Sequence, residues 1–313
     1  MGCCQGSDSI YYCQMASRKA ALHSPHAEVL LQPARSARNG AKVGDAGGSS
    51  DLIRLLTLNV SGPSLIRASK IVDYLLRLSP DVIVLTETRG TPGTDYLLSG
   101  CRDAGYTVFA PRSLAWGERG VAIAHRLSAA PTPRIRTVDL AHRLLVTRLG
   151  SPVPITLVGA YVPSRDASPS KIARKRAFLS QMTCLVKRLP LRQAVILMGD
   201  FNVVERSHVP RYSSFRSWEY DSLAEIASCG LVDAFSELHP GVRAYSWYGR
   251  TGDGYRYDYG FVSHQLRDHL RACEYLDEPR DLAISDHAGL LLTLDSVASD
   301  CAPAAPPEAS LAT

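Results

Sequence analysis

An α/β fold with mixed sheets and helices on their outer faces is what this sequence predicts, and three observations predict it. Short apolar runs of strand length recur along the chain, among them DVIVLTE (81–87), ITLVGAY (155–161) and AVILMG (194–199). Amphipathic stretches of helix length separate some of them and only turns separate others, so parallel and antiparallel pairing both follow. With 45% hydrophobic and 21% charged residues among 313, the composition is that of a globular protein with a sizeable core.

Taken in order, residues 1–50 are rich in Ala, Ser, Gly and Arg, lack sustained periodicity and end in GDAGGSS. A disordered leader is expected there, and a disordered tail over 297–313. One catalytic domain is expected between them, over 51–296. LIRLLTLN (52–59) reads as the first strand. SLIRASKIVDYLLRL (64–78) reads as a helix with Ser64 as N-cap and Pro80 closing it. The second buried strand is 81–87. GVAIAH (120–125), RLLVTRL (143–149) and ITLVGAY follow with no helix between, which predicts an antiparallel stretch. The long helix 170–189 carries RKR (174–176), read as a solvated face. After AVILMG, a helix at 221–230 ends on a glycine cap, and YDYGFV (257–262) and GLLLTL (289–294) finish as strands.

Residues 51–296 hold 30 basic against 25 acidic groups, an excess compatible with a polyanionic partner but too small to establish one. The eight cysteines form no CxxC pair and no metal-ligand rhythm. A core of this size does not need disulfide staples, so reduced thiols and an intracellular setting, cytoplasmic or nucleoid-associated, are expected. The start has no secretory signal pattern, and no apolar run reaches the length of a membrane span. The Walker, GxGxxG and GxSxG motifs are absent, which removes support for NTPase, dehydrogenase and serine-hydrolase readings.

The polar residues collect at strand ends. Asn59 follows the first strand and Glu87 ends the second; Tyr161 closes ITLVGAY; Asp200 and Asn202 follow AVILMG in GDFN; Asp258 opens the strand at 257–262, and Ser285, Asp286 and His287 precede the last strand. Each has a bland alternative: GDFN is a plausible turn, Tyr161 a core tyrosine, Glu87 and Arg89 a solvated pair. Together they suit one chemistry. Glu and Asn oxygens with an extra Asp can hold Mg²⁺ while leaving positions open for water and a phosphate oxygen. A histidine beside an aspartate can donate to that phosphate, its tautomer fixed by a second carboxylate.

The ordered series LTLNV, DVIVLTETR, GVAI, GAYVPS, VILMGDFN, GLVDAF, YSWYG, GYRYDYGFVS and SDHAGLLLTL resembles the endonuclease/exonuclease/phosphatase superfamily over residues 52–294. Within it the chain is most similar to exonuclease III-like apurinic/apyrimidinic endonucleases. The resemblance implies a four-layer α/β/β/α sandwich, two mixed sheets packed face to face with helices outside. It implies a metal site at Glu87 and Asn59 with Asp286 close by, loaded with Mg²⁺ and with Mn²⁺ as a substitute. Asp200 matches the carboxylate that activates water or serves the leaving group, and Asn202 would hold Asp200 and the attacking water. His287, oriented by Asp258, would polarise the scissile phosphate, and Tyr161 would hydrogen-bond a phosphate oxygen.

Three features point to the DNA-repair branch. Tyr161 stands where phosphatase and sphingomyelinase members tend to carry His. Trp247 would wall the pocket of a flipped abasic sugar, with Tyr255 next to it, although Trp247 could be core packing. Arg89 stands where the family prefers Lys and could reach a backbone phosphate. The implied activity is Mg²⁺-dependent hydrolysis of duplex DNA, damaged by loss of a base, 5′ to the abasic site, with a 3′-to-5′ exonuclease beside it, by a monomer. The alternatives are a phosphatase or small-molecule or phospholipid phosphodiesterase on the same scaffold, and a non-catalytic nucleic-acid binder. The chain departs from the family pattern at Ser61 and Pro63 after Asn59, and in the long segment 203–220.

Overall fold

The computed structural model describes residues 52–112, 114–130, 140–150 and 154–296. The expected leader and tail lie outside the described residues. No helix among those described is long and apolar enough to cross a membrane.

The first strand, β1 (Leu52–Asn59), alternates between two cores. Ile53 and Leu55 point to one, Leu56 and Leu58 to the other. Helix α1 (Leu65–Leu78) begins where the Ser64 hydroxyl accepts the Arg67 amide at 3.3 Å and ends on Ser79 in the left-handed region. Its buried face is Ala68, Ile71, Tyr74 and Leu75, the spacing of a single helical stripe. Burying each large apolar side chain of such a stripe contributes about 1.5–3 kcal/mol. Strand β2 (Val82–Thr88) returns in parallel with β1.

Helix α2 (Pro92–Asp103) was not among the elements expected from the sequence. Packing explains it: a Cβ on Gly93 would lie 2.0 Å from the Pro63 carbonyl, and one on Gly100 2.7 Å from a Val72 methyl. The two glycines let α2 lie directly on α1. Strands β3 (Thr107–Phe109) and β4 (Gly120–His125) complete this edge.

The antiparallel stretch expected over 120–161 is in fact divided between two sheets. β4 pairs with β2 and β3, whereas β5 (Ser128–Ala129), β6 (Leu144–Gly150) and β7 (Ile155–Tyr161) pair with one another elsewhere. A strand buried on both faces carries no sign of which sheet owns it, so the sequence pattern alone could not show the crossing. Helix α3 (Pro169–Arg188) then leads to β8 (Val195–Asp200), parallel to β7. Helix α4 (Ser217–Ser228), β9 (Leu231–Asp233) and α5 (Ala234–Leu238) follow. A small hairpin, β10 (Trp247–Tyr248) and β11 (Gly254–Tyr255), precedes β12 (Asp258–Ser263). A turn of helix, α6 (His264–Arg267), β13 (Leu270–Leu276), α7 (Glu278–Asp281) and β14 (Gly289–Asp295) finish the chain.

Two six-stranded mixed sheets result among the described residues, ordered β13-β14-β1-β2-β4-β3 and β5-β6-β7-β8-β12-β9. Three cores define the layers. One joins the sheets, with Leu55, Val84 and Ile123 meeting Leu157, Ile196 and Met198. A second lies between the second sheet and α3 and α4; a third lies between the first sheet and α1 and α2. Gly159 of β7 lets the sheets approach closely, since a Cβ there would meet Val121 and Val84 at 3.0 and 3.1 Å. The α/β/β/α sandwich expected from the sequence is the observed fold.

Candidate active site

Strands β7, β8 and β12 bring three polar side chains to one level. Tyr161 is the parallel partner of Asp200, and Asp258 its antiparallel partner. Register partners point to the same face, so the two carboxylates are neighbours by construction. The residue before Asp200 has to be glycine: Gly199 has φ 145°, and a Cβ there would lie 2.0 Å from the Ala160 carbonyl oxygen.

The first sheet supplies the facing half. β1 ends on Asn59, whose Nδ2 donates to Asp200 Oδ2 at 2.9 Å and lies 3.4 Å from His287 Nε2. Its Oδ1 accepts the backbone amide of Ser61 at 2.9 Å, a bond that does not depend on the side chain at position 61. Glu87 sits on a register shift between Thr86 and Thr88 with φ 58°; the irregularity turns it out of the ladder towards Tyr161. Tyr161 Oη donates to Glu87 Oε1 at 2.9 Å, and Arg119 Nη1 donates to Oε2 at 2.6 Å.

His287 is fixed from two sides. Its amide donates to Ser285 Oγ at 2.9 Å, and that hydroxyl donates to the Asn59 carbonyl at 2.5 Å. Its Nδ1 pairs with Asp258 Oδ2 at 2.8 Å. Asn202 has φ 49° and is held at three points: its amide donates to Asp200 Oδ1 at 2.9 Å, its Nδ2 to the Val162 carbonyl at 3.0 Å, and its own carbonyl accepts Lys175 Nζ at 2.6 Å.

Burial disfavours charge on Asp200, the adjacent Asp258 carboxylate adds to this and His287 opposes both; the carboxyl is pushed up to about 8. Burial pulls the His287 imidazolium down, but the charge and hydrogen bond of Asp258 outweigh it and raise the ring to about 9. Burial, then Glu87, push the Tyr161 phenol above its usual range, which keeps it a neutral donor.

Ligand atoms of Asp200, Asp258 and His287 lie within 4.8 Å of one another, a buried group able to hold a metal ion. The residues expected at the metal divide differently. Glu87 and Asn59 flank this group through Tyr161 and Asp200, whereas Asp286 is exposed and its Oδ2 accepts Trp247 Nε1 at 3.1 Å. Glu87 and the Asn59 amide oxygen keep free lone pairs beyond the bonds described, and Asp258 Oδ1 is buried without a donor. Two carboxylates, one with an unmet oxygen, offer hard donors that fit a divalent cation, with the His287 imidazole the one nitrogen in the group.

Trp247 and Tyr255 stand together at the rim, ring centroids 5.4 Å apart. Trp247 is bridged by its backbone to His287. Arg89 lies apart, its side chain packed over Gly62, where a Cβ would come within 2.3 Å of Arg89 Cδ.

Sequence reasoning missed Arg119, Arg143 and Lys175. Arg143 stacks its guanidinium 4.6 Å over the Tyr161 ring. Lys175 is only 2% exposed, bonded to Glu219 at 2.7 Å, so RKR is not a uniformly solvated face: Arg174 pairs with Glu118 and only Arg176 is exposed. One signal was present, for Lys175 is three residues before Phe178 on the buried stripe of α3.

The sequence model of the endonuclease/exonuclease/phosphatase family matches residues 56–287. Comparison with curated proteins gives no match. Among solved structures, the fold is similar to an AP endonuclease from Archaeoglobus fulgidus, with 23% identity over 78% of this chain and 100% of that one and a TM-score of 0.67. It is similar to the 3′ phosphatase NExo from Neisseria bound to product DNA hairpin, with 21% identity, 78% and 99% coverage and a TM-score of 0.67. The AP endonuclease LMAP from Leishmania major gives 22% identity, 79% and 89% coverage and a TM-score of 0.63.

Proposed function

The chain belongs to the endonuclease/exonuclease/phosphatase family and is a hydrolytic enzyme of the nuclease and phosphodiesterase kind, and from that premise we propose that it is a Mg²⁺-dependent DNA hydrolase that incises duplex DNA 5′ to an abasic site and removes 3′-terminal nucleotides. Residues 51–296 form the catalytic domain, acting as a monomer. The observation that carries this reading is the pairing of His287 with Asp258 at 2.8 Å beside an Asp200 held by both Asn59 and Asn202.

His287, kept charged by Asp258, binds a non-bridging oxygen of the scissile phosphate and stabilises the charge that grows there. Asp200 has its proton affinity raised towards neutrality, which suits a group that exchanges a proton with water or with the leaving oxygen. Asn202 fixes the Asp200 carboxylate and the line of attack. Tyr161 holds Glu87 in the free enzyme and turns its O–H to a phosphate oxygen when substrate enters. The water oxygen bonds to phosphorus, the bond from phosphorus to O3′ breaks, and the 3′ oxygen leaves with a proton. A divalent cation, Mg²⁺ with Mn²⁺ as substitute, would be held by Glu87 and Asn59 with Asp286 close by, and would supply Lewis-acid stabilisation of the phosphoryl oxygens. The basic excess of the domain and Arg89 serve the phosphate backbone.

The test is a labelled duplex carrying one abasic-site analogue, incubated with Mg²⁺ and with EDTA. A single Mg²⁺-dependent cut beside the lesion, absent from the undamaged duplex, is the expected result. Hydrolysis of small phosphomonoesters without incision would replace this reading with the phosphatase one.

A further inference from the structure

Glu87 is expected at the cation, yet both of its carboxylate oxygens already have a donor. Tyr161 Oη donates to Oε1 at 2.9 Å and Arg119 Nη1 donates to Oε2 at 2.6 Å. The two donors differ in kind. The phenol is neutral and leaves the carboxylate its charge, whereas the guanidinium offsets that charge and sets a positive group beside the place a divalent cation has to reach. Burial opposes the Arg119 charge, and Glu87 followed by Tyr161 more than restores it.

The backbone on both sides of Arg119 is pinned. The Glu118 carboxylate before it takes Arg174 at 2.6 Å and His142 at 3.1 Å, and the Glu118 amide closes a turn on the Ala115 carbonyl at 2.9 Å. Gly120 after it lies against the His142 carbonyl, which a Cβ would approach within 2.8 Å. The Arg119 side chain itself is 33% exposed, so its head can leave Glu87 without disturbing the sheet. Beyond Glu87 it faces a hollow of about 420 Å³ that it lines with Arg143, Arg165, Lys171 and Arg174. The carboxylates there are engaged, Glu118 by Arg143 and Arg174 and Asp166 by Lys171. A displaced Arg119 therefore enters positively charged surroundings, and Glu87 is its better partner until a cation takes its place.

We infer that Arg119 is an internal competitor for the cation-binding carboxylate: it occupies Glu87 in the cation-free protein, is displaced when a divalent cation binds, and so weakens the affinity of the site. The inference rests on Glu87 belonging to the cation site, as in the reading above. Arg119 takes no part in the bond exchange; it sets the cation concentration at which the site fills. The rival role, a partner that orients Glu87 for the cation, predicts the opposite sign when the guanidinium is removed.

The test titrates Mn²⁺ into the full chain without DNA and follows the loss of the free-ion paramagnetic resonance signal, a readout that needs no turnover. Arg119→Gln keeps a donor and removes the charge; it should tighten Mn²⁺ binding about fivefold, the upper range of what one partly exposed ion pair is worth. Arg119→Lys retains the charge and should stay within about twofold of the unchanged chain. Glu87→Gln should weaken binding by at least about tenfold. Tighter binding is a gain that damaged folding does not produce, and Arg119→Ala gives the same reading should Arg119→Gln fold poorly. Unchanged or weaker Mn²⁺ binding in both Arg119→Gln and Arg119→Ala, with Glu87→Gln weakening it, would overturn this inference alone and make Arg119 an orienting partner. Unchanged binding in Glu87→Gln would remove Glu87 from the cation site and overturn the inference together with the cation placement it rests on.

Discussion

The floor of the site and its rim are built on different principles. On the floor, Asn59, Asp200, Asp258 and His287 are between 0 and 6% exposed, and each is bonded to at least one of the others. Two further residues, Glu87 and Asn202, have left-handed backbone, which costs on the order of 1–3 kcal/mol each for a non-glycine residue and persists only where surrounding bonds over-determine it. At the rim, Trp247, Tyr255 and Arg89 are half-buried and Asp286 is exposed. The difference teaches that the two sheets fix the chemistry, while the loops between them choose what is brought to it.

The sharpest way to break that comparison is at the floor. Asp200→Asn and His287→Ala should each lower kcat/KM on a cleavable duplex by about 10²–10⁴, the range for loss of a positioned acid–base group. Thermal unfolding of Asp200→Asn should change by a few degrees at most, because the substitution removes a buried carboxylate whose charge the fold disfavours. Turnover near that of the unchanged chain in either variant would mean that the floor is scaffold rather than chemistry.

Behind the floor stands a buried ion network that is neither floor nor rim. Glu219, 1% exposed, receives both Arg165 and Lys175, and Lys175 in turn holds the Asn202 carbonyl. Glu219→Ala leaves two cations without a carboxylate and should destabilise the fold by about 3–5 kcal/mol in denaturant titration. Lys175→Met, which retains the stem, should fold better than Glu219→Ala while losing kcat through a displaced Asn202. Equal stability of Glu219→Ala and the unchanged chain would show the network to be solvated in solution.

Legibility followed the same division. The strands that end in Asn59, Tyr161 and Asp200 were readable because buried apolar runs leave few alternatives, and a polar residue closing such a run is conspicuous. Arg119 and Lys175 were not, because each is defined by a partner far along the chain: Glu87 for the first, Glu219 and the Asn202 carbonyl for the second. Nor was α2, whose glycines are explained only by the contact with α1. Periodicity sees neighbours along the chain and is blind to pairs formed by folding.

A pH titration separates the two regions by a smaller effect. In the cation-free protein His287 is held charged up to about 9 by Asp258, above the roughly 6.5 of an unfolded histidine. Its stabilising contribution is therefore complete below about pH 6.5 and is lost as pH rises through 9. Asp200, protonated in the fold to about pH 8 but ionised from about 4 when unfolded, works in the same direction. Stability measured in EDTA should fall by on the order of 3 kcal/mol between pH 6.5 and 9.5 from His287 alone, and His287→Ala should flatten that slope. Substitution of the uncharged rim residues Trp247 and Tyr255 should leave it unchanged.

The smallest effect is expected at the rim itself. Trp247 packs against Tyr255 and Tyr257 and donates to Asp286 at 3.1 Å, yet it is only half-buried, so Trp247→Ala should shift the unfolding temperature little. On the proposed function it removes a contact with the bound nucleotide that is present in the ground state and the transition state alike. KM should rise by roughly tenfold with kcat nearly constant, the signature of lost uniform binding. Trp247→Phe keeps a ring and drops the indole N–H, so it reports on Asp286 alone: recovery of KM in that variant assigns the effect to stacking. A fall in kcat for Trp247→Ala comparable with that of Asp200→Asn would join rim and floor into one unit, because the backbone bridge from Trp247 to His287 would then transmit the loss directly to the phosphate-binding ring.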